Sequence, residues 1–267
     1  MSQSLAADQV SPQRPILVTV TGVRRLTPRM VRITLAGDDV GDFHYAGPDH
    51  LVRLFLPAGD DLQLPASSDW WTELQAMPAD RRPVVRNYTV RHIDHARCRL
   101  DIDFALHGDR GPASAWAGTA EPGDRIGILS DGARYAAGEA DWQLLIGDET
   151  AMPAIASMLE TARTPAYTLL EVEDEQDVLD LADEVTWLYR SGSRGSRVVE
   201  ALRALPFPSG TPYVWVAGEA ALASSVRRYL VNERGVEKQQ IYFCGYWRGG
   251  PSAGRGTVET KREPSHA

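Results

Sequence analysis

Hydrophobic and polar positions along this chain follow one rule before about residue 138 and another after it. In the first half, short runs rich in Val, Ile, Leu and Thr are separated by turn residues. This predicts β-strands over 16–27, 30–36, 50–57, 86–93, 97–106 and 124–129. Within 30–36, Met30, Ile33 and Leu35 stand among Arg32 and Thr34, with Val31 breaking strict period two. Six strands with one short helical stretch predict a closed antiparallel barrel. Residues 58–83 interrupt it with Pro65, Pro78, Pro83 and the pair Trp70-Trp71. That excursion reads either as a lid or, more simply, as a packed surface insertion with a short helix near 69–76.

After Gly138 strand-like and helix-like runs alternate. Strands are expected over 142–146, 166–172, 185–189, 213–217 and 241–246, and helices over 151–162, 197–205 and 221–234. Such alternation predicts a parallel sheet flanked by helices, whose ligands bind at the carboxyl ends of the strands. Those ends fall at 147–150, 171–174, 189–194, 217–219 and 245–248. The expected organisation is a flexible N-terminus (1–14), a β-barrel domain (15–135), an α/β lobe (138–248) and a polar tail (249–267).

Composition narrows this picture only a little. A chain of 267 residues with 43% hydrophobic and 24% charged residues is an ordinary globular one. No apolar run reaches the ~20 residues that span a bilayer, and the first fifteen residues hold no secretory h-region. Cys98 and Cys244 sit among β-type residues and read as reduced thiols, which points to the cytoplasm. A net charge of −8 argues against nucleic-acid binding, while leaving room for a local basic pocket. The basic residues are nearly all arginine, Lys238 and Lys261 being the only lysines, so arginine abundance alone carries no message. The six histidines show no metal-ligand spacing, and no metal site is expected.

Two stretches carry most of the chemistry. Arg86-Asn87-Tyr88-Thr89-Val90-Arg91 places a guanidinium, a ring and a hydroxyl on a strand-like run. His107-Gly108-Asp109-Arg110-Gly111-Pro112-Ala113-Ser114 is a turn opening a helix over 113–120. A guanidinium pairs with phosphate, a helix N-terminus offers it N–H groups, and Tyr88 offers a flat surface. Phosphate plus planar ring describes a flavin or another nucleotide cofactor.

A barrel with Arg-x-Tyr-Thr followed by an α/β lobe resembles the ferredoxin-NADP reductase superfamily. Four further stretches narrow the resemblance: His-Gly-x-x-Gly-Pro-Ala-Ser-x-Trp-Ala at 107–117, Gly-Asp-Glu-Thr-Ala-Met-Pro-Ala at 147–154, Ala-Gly-Glu at 217–219 and Gly-Tyr-Trp-Arg-x-Gly at 245–250. In this order they resemble the siderophore-interacting protein family of FAD-dependent ferric-siderophore reductases, over about residues 15–250. The resemblance implies that Arg86 pairs with the FAD pyrophosphate, that Tyr88 packs on the isoalloxazine and that Thr89 bonds its polar edge. Asp103, Phe104, Ala105, His107 and Gly108, with the turn of Gly111, Pro112, Ala113 and Ser114, would hold the rest of the pyrophosphate and the adenosine side.

In the second lobe the resemblance implies NAD(P)H binding by Asp148, Glu149, Thr150, Ala151, Arg190, Ser191 and Glu219. Asp148 and Glu149 stand where the superfamily usually has glycines, which makes the turn less hospitable to a pyrophosphate. The choice of nucleotide stays open. Glu171 could accept from a ribose 2′-hydroxyl, whereas Arg190, Ser191 and Arg194 could grip a 2′-phosphate, and the resemblance tips toward NADPH. Arg53, Arg134 and Arg248 match the family's basic cluster for an anionic ferric siderophore. No side-chain nucleophile or general acid is expected, because the flavin does the chemistry. A monomer is expected. Two rival readings remain: a generic flavin reductase or electron-transfer component, and a siderophore-binding protein in which FAD is structural.

Overall fold

The computed structural model describes residues 14–59, 61–106, 111–181, 185–191 and 194–249. The expectations for 1–13 and 250–267, and those for His107 and Gly108, lie outside the described residues. In the first lobe the elements are β1 (Ile16–Thr27), β2 (Met30–Ala36), β3 (Leu51–Leu56), α1 (Trp70–Ala76), β4 (Val84–Thr89), β5 (His92–Asp94), β6 (Arg99–Ala105), α2 (Pro112–Thr119) and β7 (Arg125–Gly132). Among the described residues seven strands, not six, form one antiparallel sheet in the order β4-β3-β7-β1-β2-β6-β5.

The extra strand comes from a break inside 86–93. Val90 N–H bonds His50 O, beside β3, and the next residue's Arg91 N–H bonds Asp101 O, on β6. The chain therefore steps from one end of the sheet to the other within two residues, and that step closes the barrel. Val31, Ile33 and Leu35 on β2 point inward together with Val52, Leu54, Ile102, Phe104, Ile126 and Ile128. Met30 is the residue out of phase. It is buried in the core of the second lobe instead, which accounts for the broken alternation. The excursion after β3 is a packed outer layer: Leu74 of α1, with Leu64, Trp70 and Met77, covers Phe55, Val85 and Leu129 on the barrel's outer face.

The second lobe contains β8 (Trp142–Asp148), α3 (Met152–Thr161), β9 (Ala166–Val172), β10 (Val185–Tyr189), α4 (Ser196–Ala204), β11 (Pro212–Glu219), α5 (Ala220–Glu233) and β12 (Ile241–Trp247). Its five parallel strands run in the order β10-β9-β8-β11-β12, so the chain reverses direction across the sheet between β8 and β11. One face packs under α3 around Leu145, Ile155 and Trp215. The other packs under α4 and α5 around Ile146, Val216 and Leu222. Both β8 and β11 run two residues further than their apolar patterns suggest. That extension carries Asp148 and Glu219 into buried positions.

Several contacts join the lobes. Arg29 pairs with Asp174 at 3.0 Å and Asp177 at 2.6 Å. Arg91 pairs with Glu160, and its carbonyl accepts from Ser157 Oγ at 3.0 Å. No described helix is long and apolar enough to cross a membrane.

Candidate functional site

Period two on β4 puts Arg86 and Tyr88 on one face and Val85 and Asn87 on the other. Val85 packs in the outer layer, and Asn87 lies opposite Arg53. Tyr88 lies 4.4 Å, centroid to centroid, from Phe104, which lies 5.6 Å from Trp116. The half-buried Arg86 guanidinium donates to its neighbour's carbonyl, Val85 O, at 2.8 Å. Burial depresses its pKa, and among the described residues no carboxylate is paired with it. Thr89 is buried, with its side chain close enough to Tyr246 on β12 to favour that tyrosine's ionised form against the burial that raises its pKa. The end of β4 thus abuts the second lobe.

The remaining first-lobe candidates divide. Gly111 caps α2 with φ +136°, a conformation other residues rarely adopt, and the space its missing side chain would fill is open. Pro112 stands at the first helical position, and Ala113 and Ser114 follow, both buried. The Asp103 carboxylate is engaged instead by Arg32, its cross-strand partner, through two bonds of 2.6 and 2.8 Å. Phe104 is a core residue beneath Tyr88, and Ala105 packs at the junction of the lobes.

At the carboxyl ends of β8 and β11, Asp148 is wholly buried and acts as a knot. It accepts from Thr150 N at 2.9 Å, Thr150 Oγ1 at 2.6 Å, Glu219 N at 2.8 Å and Trp247 Nε1 at 3.0 Å. Burial and then the neighbouring Glu149 raise its pKa. Gly218 (φ +132°) makes room for it: a Cβ there would stand 2.7 Å from the carboxylate. Ala151, behind this turn, is fully buried.

Glu149 pairs with Arg190 at 2.6 Å and Arg194 at 3.4 Å. Glu171, expected as a ribose acceptor, is fully buried and receives Gly195 N–H at 3.0 and 3.1 Å, ahead of α4. Ser191 is exposed beyond β10. Glu219 caps α5, accepting from Ala221 N at 2.6 Å and Leu222 N at 3.2 Å, while its other oxygen receives Gly249 N–H at 3.2 Å.

A model described as "Siderophore-interacting FAD-binding domain" matches residues 19–135, and one described as "Siderophore-interacting protein" matches 140–250. The ferric vibriobactin reductase ViuB of Vibrio cholerae is 31% identical over 259 residues, covering 91% of this chain and 93% of that protein. The NADPH-dependent ferric-chelate reductase of Escherichia coli is 30% identical, covering 86% and 91%. The crystal structure of a siderophore utilization protein from T. fusca superposes with a TM-score of 0.77 at 35% identity, covering 91% and 96%. The chain belongs to the siderophore-interacting protein family. A ferredoxin reductase of carbazole 1,9a-dioxygenase, 16% identical with a TM-score of 0.62 and covering 87% of this chain and 69% of that one, shares the fold alone. FAD is the cofactor of the barrel domain.

The three arginines matched to the family's basic cluster do not stand alike. Arg53 lies on the outer face of β3, where it pairs with Asp131 at 2.9 Å and lies 5.3 Å from the Trp70 ring. Its pairing with Asn87 puts it on the face opposite Arg86 and Tyr88. Arg134 is exposed beyond β7, close enough to Tyr242 and Cys244 on β12 to favour their ionised forms against the burial that raises both pKa values. Arg248 is exposed at the end of β12. Both cysteines are free and half-buried.

Two residues here escaped the sequence reading. Asp49 is buried, and its Oδ1 accepts from Arg134 N at 2.8 Å and Tyr135 N at 2.9 Å. Its Oδ2 accepts from Trp215 Nε1 of the second lobe at 3.2 Å. Beside it His50 is fully buried, with Nδ1 accepting Ala46 N–H at 2.9 Å. The ring proton therefore sits on Nε2, 2.9 Å from Ser130 Oγ, which donates to His44 O at 3.1 Å. Nothing in the bare pattern Pro48-Asp49-His50 separates such knots from an ordinary turn.

Proposed function

We propose that this protein is a monomeric, cytoplasmic ferric-siderophore reductase that uses FAD and takes its electrons from NAD(P)H. The observation that carries this is the junction of Thr89 with Tyr246. The end of the flavin strand meets β12, the strand whose last residues lead to the exposed Arg248. The first-lobe residues fit FAD. A half-buried guanidinium with no carboxylate partner among the described residues, an aromatic stack beside it and an open glycine turn at a helix N-terminus suit a phosphate and a ring.

In this reading Arg86 and the N–H groups at the start of α2 hold the pyrophosphate. Tyr88, backed by Phe104, supports the ring system, and Thr89 and Tyr246 border its polar edge. The chemistry bound FAD supplies is acceptance of a hydride and release of single electrons. Thr150 and the turn around it stand at the sheet's switch point, where a nicotinamide would be presented. Arg190 and Arg194, beyond β10, favour NADPH as donor.

Arg134 and Arg248 attract an anionic ferric siderophore to the junction of the lobes against the overall charge of −8. Arg53, occupied by Asp131 and Trp70, is left out of that role. Hard oxygen ligands hold Fe(II) less firmly than Fe(III), so reduction releases the metal.

The test is anaerobic incubation of the yellow, FAD-loaded protein with NADH or NADPH and a ferric siderophore, following Fe(II) with a chelator. Fe(II) formation that depends on protein and nucleotide is expected. A protein that binds the siderophore yet yields no Fe(II), even after its flavin is reduced with dithionite, would refute the reductase reading in favour of a carrier.

A further inference from the structure

The carboxyl ends of β8 and β11 flank the switch point of the parallel sheet, where sheets of this kind receive ligands. The cleft there is occupied by charges of the chain itself. Glu149 Oε2 receives Arg190 at 2.6 Å and its Oε1 receives Arg194 at 3.4 Å. Arg190 also meets Glu173 and, at 3.6 Å, Glu171. Arg194 lies 4.5 Å from the centre of the Trp247 ring, and Trp247 is tied to Asp148.

Two guanidiniums converging on the two oxygens of one carboxylate is an arrangement that also grips a phosphate. A second observation points the same way. The Arg190 side chain is 9% exposed, and its Nε is buried without a hydrogen-bond acceptor among the described residues, despite three carboxylates nearby. The pairing with Glu149 leaves a donor that an oxyanion of different shape could satisfy.

The neighbouring acids cannot play the part of Glu149. Asp148 is committed to four donors, and Glu171 to the Gly195 N–H. Glu173 is half exposed at the rim.

We propose that Glu149 is an internal stand-in for a nucleotide phosphate and sets this cleft's affinity for its pyridine nucleotide. A phosphate of the dinucleotide enters between Arg190 and Arg194 only by displacing the Glu149 carboxylate. The inference rests on the reading of this lobe as the NAD(P)H site. Glu149 is a specificity-determining residue that weakens binding, so its removal creates affinity.

The experiment is calorimetric binding of NADP+ and NAD+, neither of which reduces the flavin, to the FAD-loaded protein and to Glu149→Gln. The dissociation constant for NADP+ should fall at least about tenfold, as removal of a unit charge at contact distance from a phosphate requires. Adding Arg190→Ala to Glu149→Gln should abolish the gain. Equal gains for NADP+ and NAD+ identify the shared pyrophosphate as the displacing group, and a gain confined to NADP+ identifies the 2′-phosphate. Glu149→Asp, which withdraws the carboxylate by one methylene, should give a smaller gain and covers the case in which the glutamine variant fails to fold. Unchanged or weaker binding in a variant with the parental flavin spectrum overturns the proposal, as does a gain that survives Arg190→Ala. Failure of the reductase reading is separate: it shows as absence of Fe(II) from dithionite-reduced protein, with no nucleotide present.

Discussion

Asp49→Ala should cost more stability than any single surface change, and the structure says roughly how much. One carboxylate holds three donors: Arg134 N at 2.8 Å, Tyr135 N at 2.9 Å and Trp215 Nε1 at 3.2 Å. Asp49 and Trp215 are both buried, so water cannot freely replace the lost acceptor. Bonds to a charged acceptor are worth ~1.5–3 kcal/mol each, and a stranded buried donor costs ~1–3 kcal/mol. Losses within one cluster do not add fully. The expected cost is about 4 kcal/mol, which for a chain of this size lowers Tm by about 8–16 °C.

Asp49→Asn discriminates the bonds from the bulk. Its single oxygen can keep the two backbone N–H groups, but the amide NH2 then faces the Trp215 N–H donor to donor. It should fall between the parent and alanine. The assay is thermal or denaturant unfolding of the FAD-loaded proteins, alongside ferric-siderophore binding, which should weaken as the Arg134 loop loses its anchor. A loss under about 1 kcal/mol for Asp49→Ala would refute the reasoning, because three bonds to a buried carboxylate could not then be worth what is assigned to them.

The remaining predictions are brief. Arg86→Ala should weaken FAD binding by about 2 kcal/mol, roughly 30-fold, with Arg86→Lys intermediate because a point charge replaces the fork; flavin fluorescence on titration measures it, and equal affinity would remove Arg86 from the site. Arg134→Ala and Arg248→Ala should each weaken an anionic ferric siderophore, less so at high salt, while the flavin spectrum stays that of the parent. His50 is held down to about 4 from 6.5, mainly by burial, with nearby His44 adding to the effect. A depressed folded-state pKa means the unfolded chain binds the proton first, so stability present above pH 6.5 is lost as pH falls toward about 4. The loss is about 3 kcal/mol. Unfolding midpoints for the parent and His50→Gln should therefore converge across that interval, and parallel curves would show that His50 is not the group responsible.

The β-barrel and the α/β order were legible because their signals are local: runs of β-branched residues, helical spacing and turn residues. What escaped the pattern was tertiary. The break at Val90–Arg91 has no glycine or proline to mark it; it arises because successive N–H groups find acceptors at opposite ends of the sheet. Met30 spoiled the alternation of β2 because it serves the other lobe's core. That Arg86 and Tyr88 share a face was legible for a physical reason: side chains two residues apart lie on the same side of any strand. The pairing of Asp103 with Arg32 was not legible, because its cross-strand partner lies 71 residues away, beyond the reach of any local pattern.

The acidic residues share a single logic that explains why they were the hardest to assign. At the end of a parallel strand a carboxylate reads as a ligand for ribose or a helix-start charge. In the folded chain these groups turn inward and fasten loops: Asp148 joins β8 to β11 and β12, Glu171 joins β9 to the start of α4, Glu219 joins α5 to Gly249, and Asp49 joins the lobes. Each is surrounded by N–H donors, which offset its charge where it stands. The net charge of −8 is therefore partly offset inside the fold, while Arg134, close to β12, and Arg248, at its end, are exposed. An acidic protein can present a basic mouth in this way, because buried carboxylates tied to backbone dipoles contribute little to the field that an approaching anion meets. Glu149 pairs with two guanidiniums, those of Arg190 and Arg194. An ion pair can be exchanged for another anion, which is why Glu149 is the acid proposed to tune nucleotide binding.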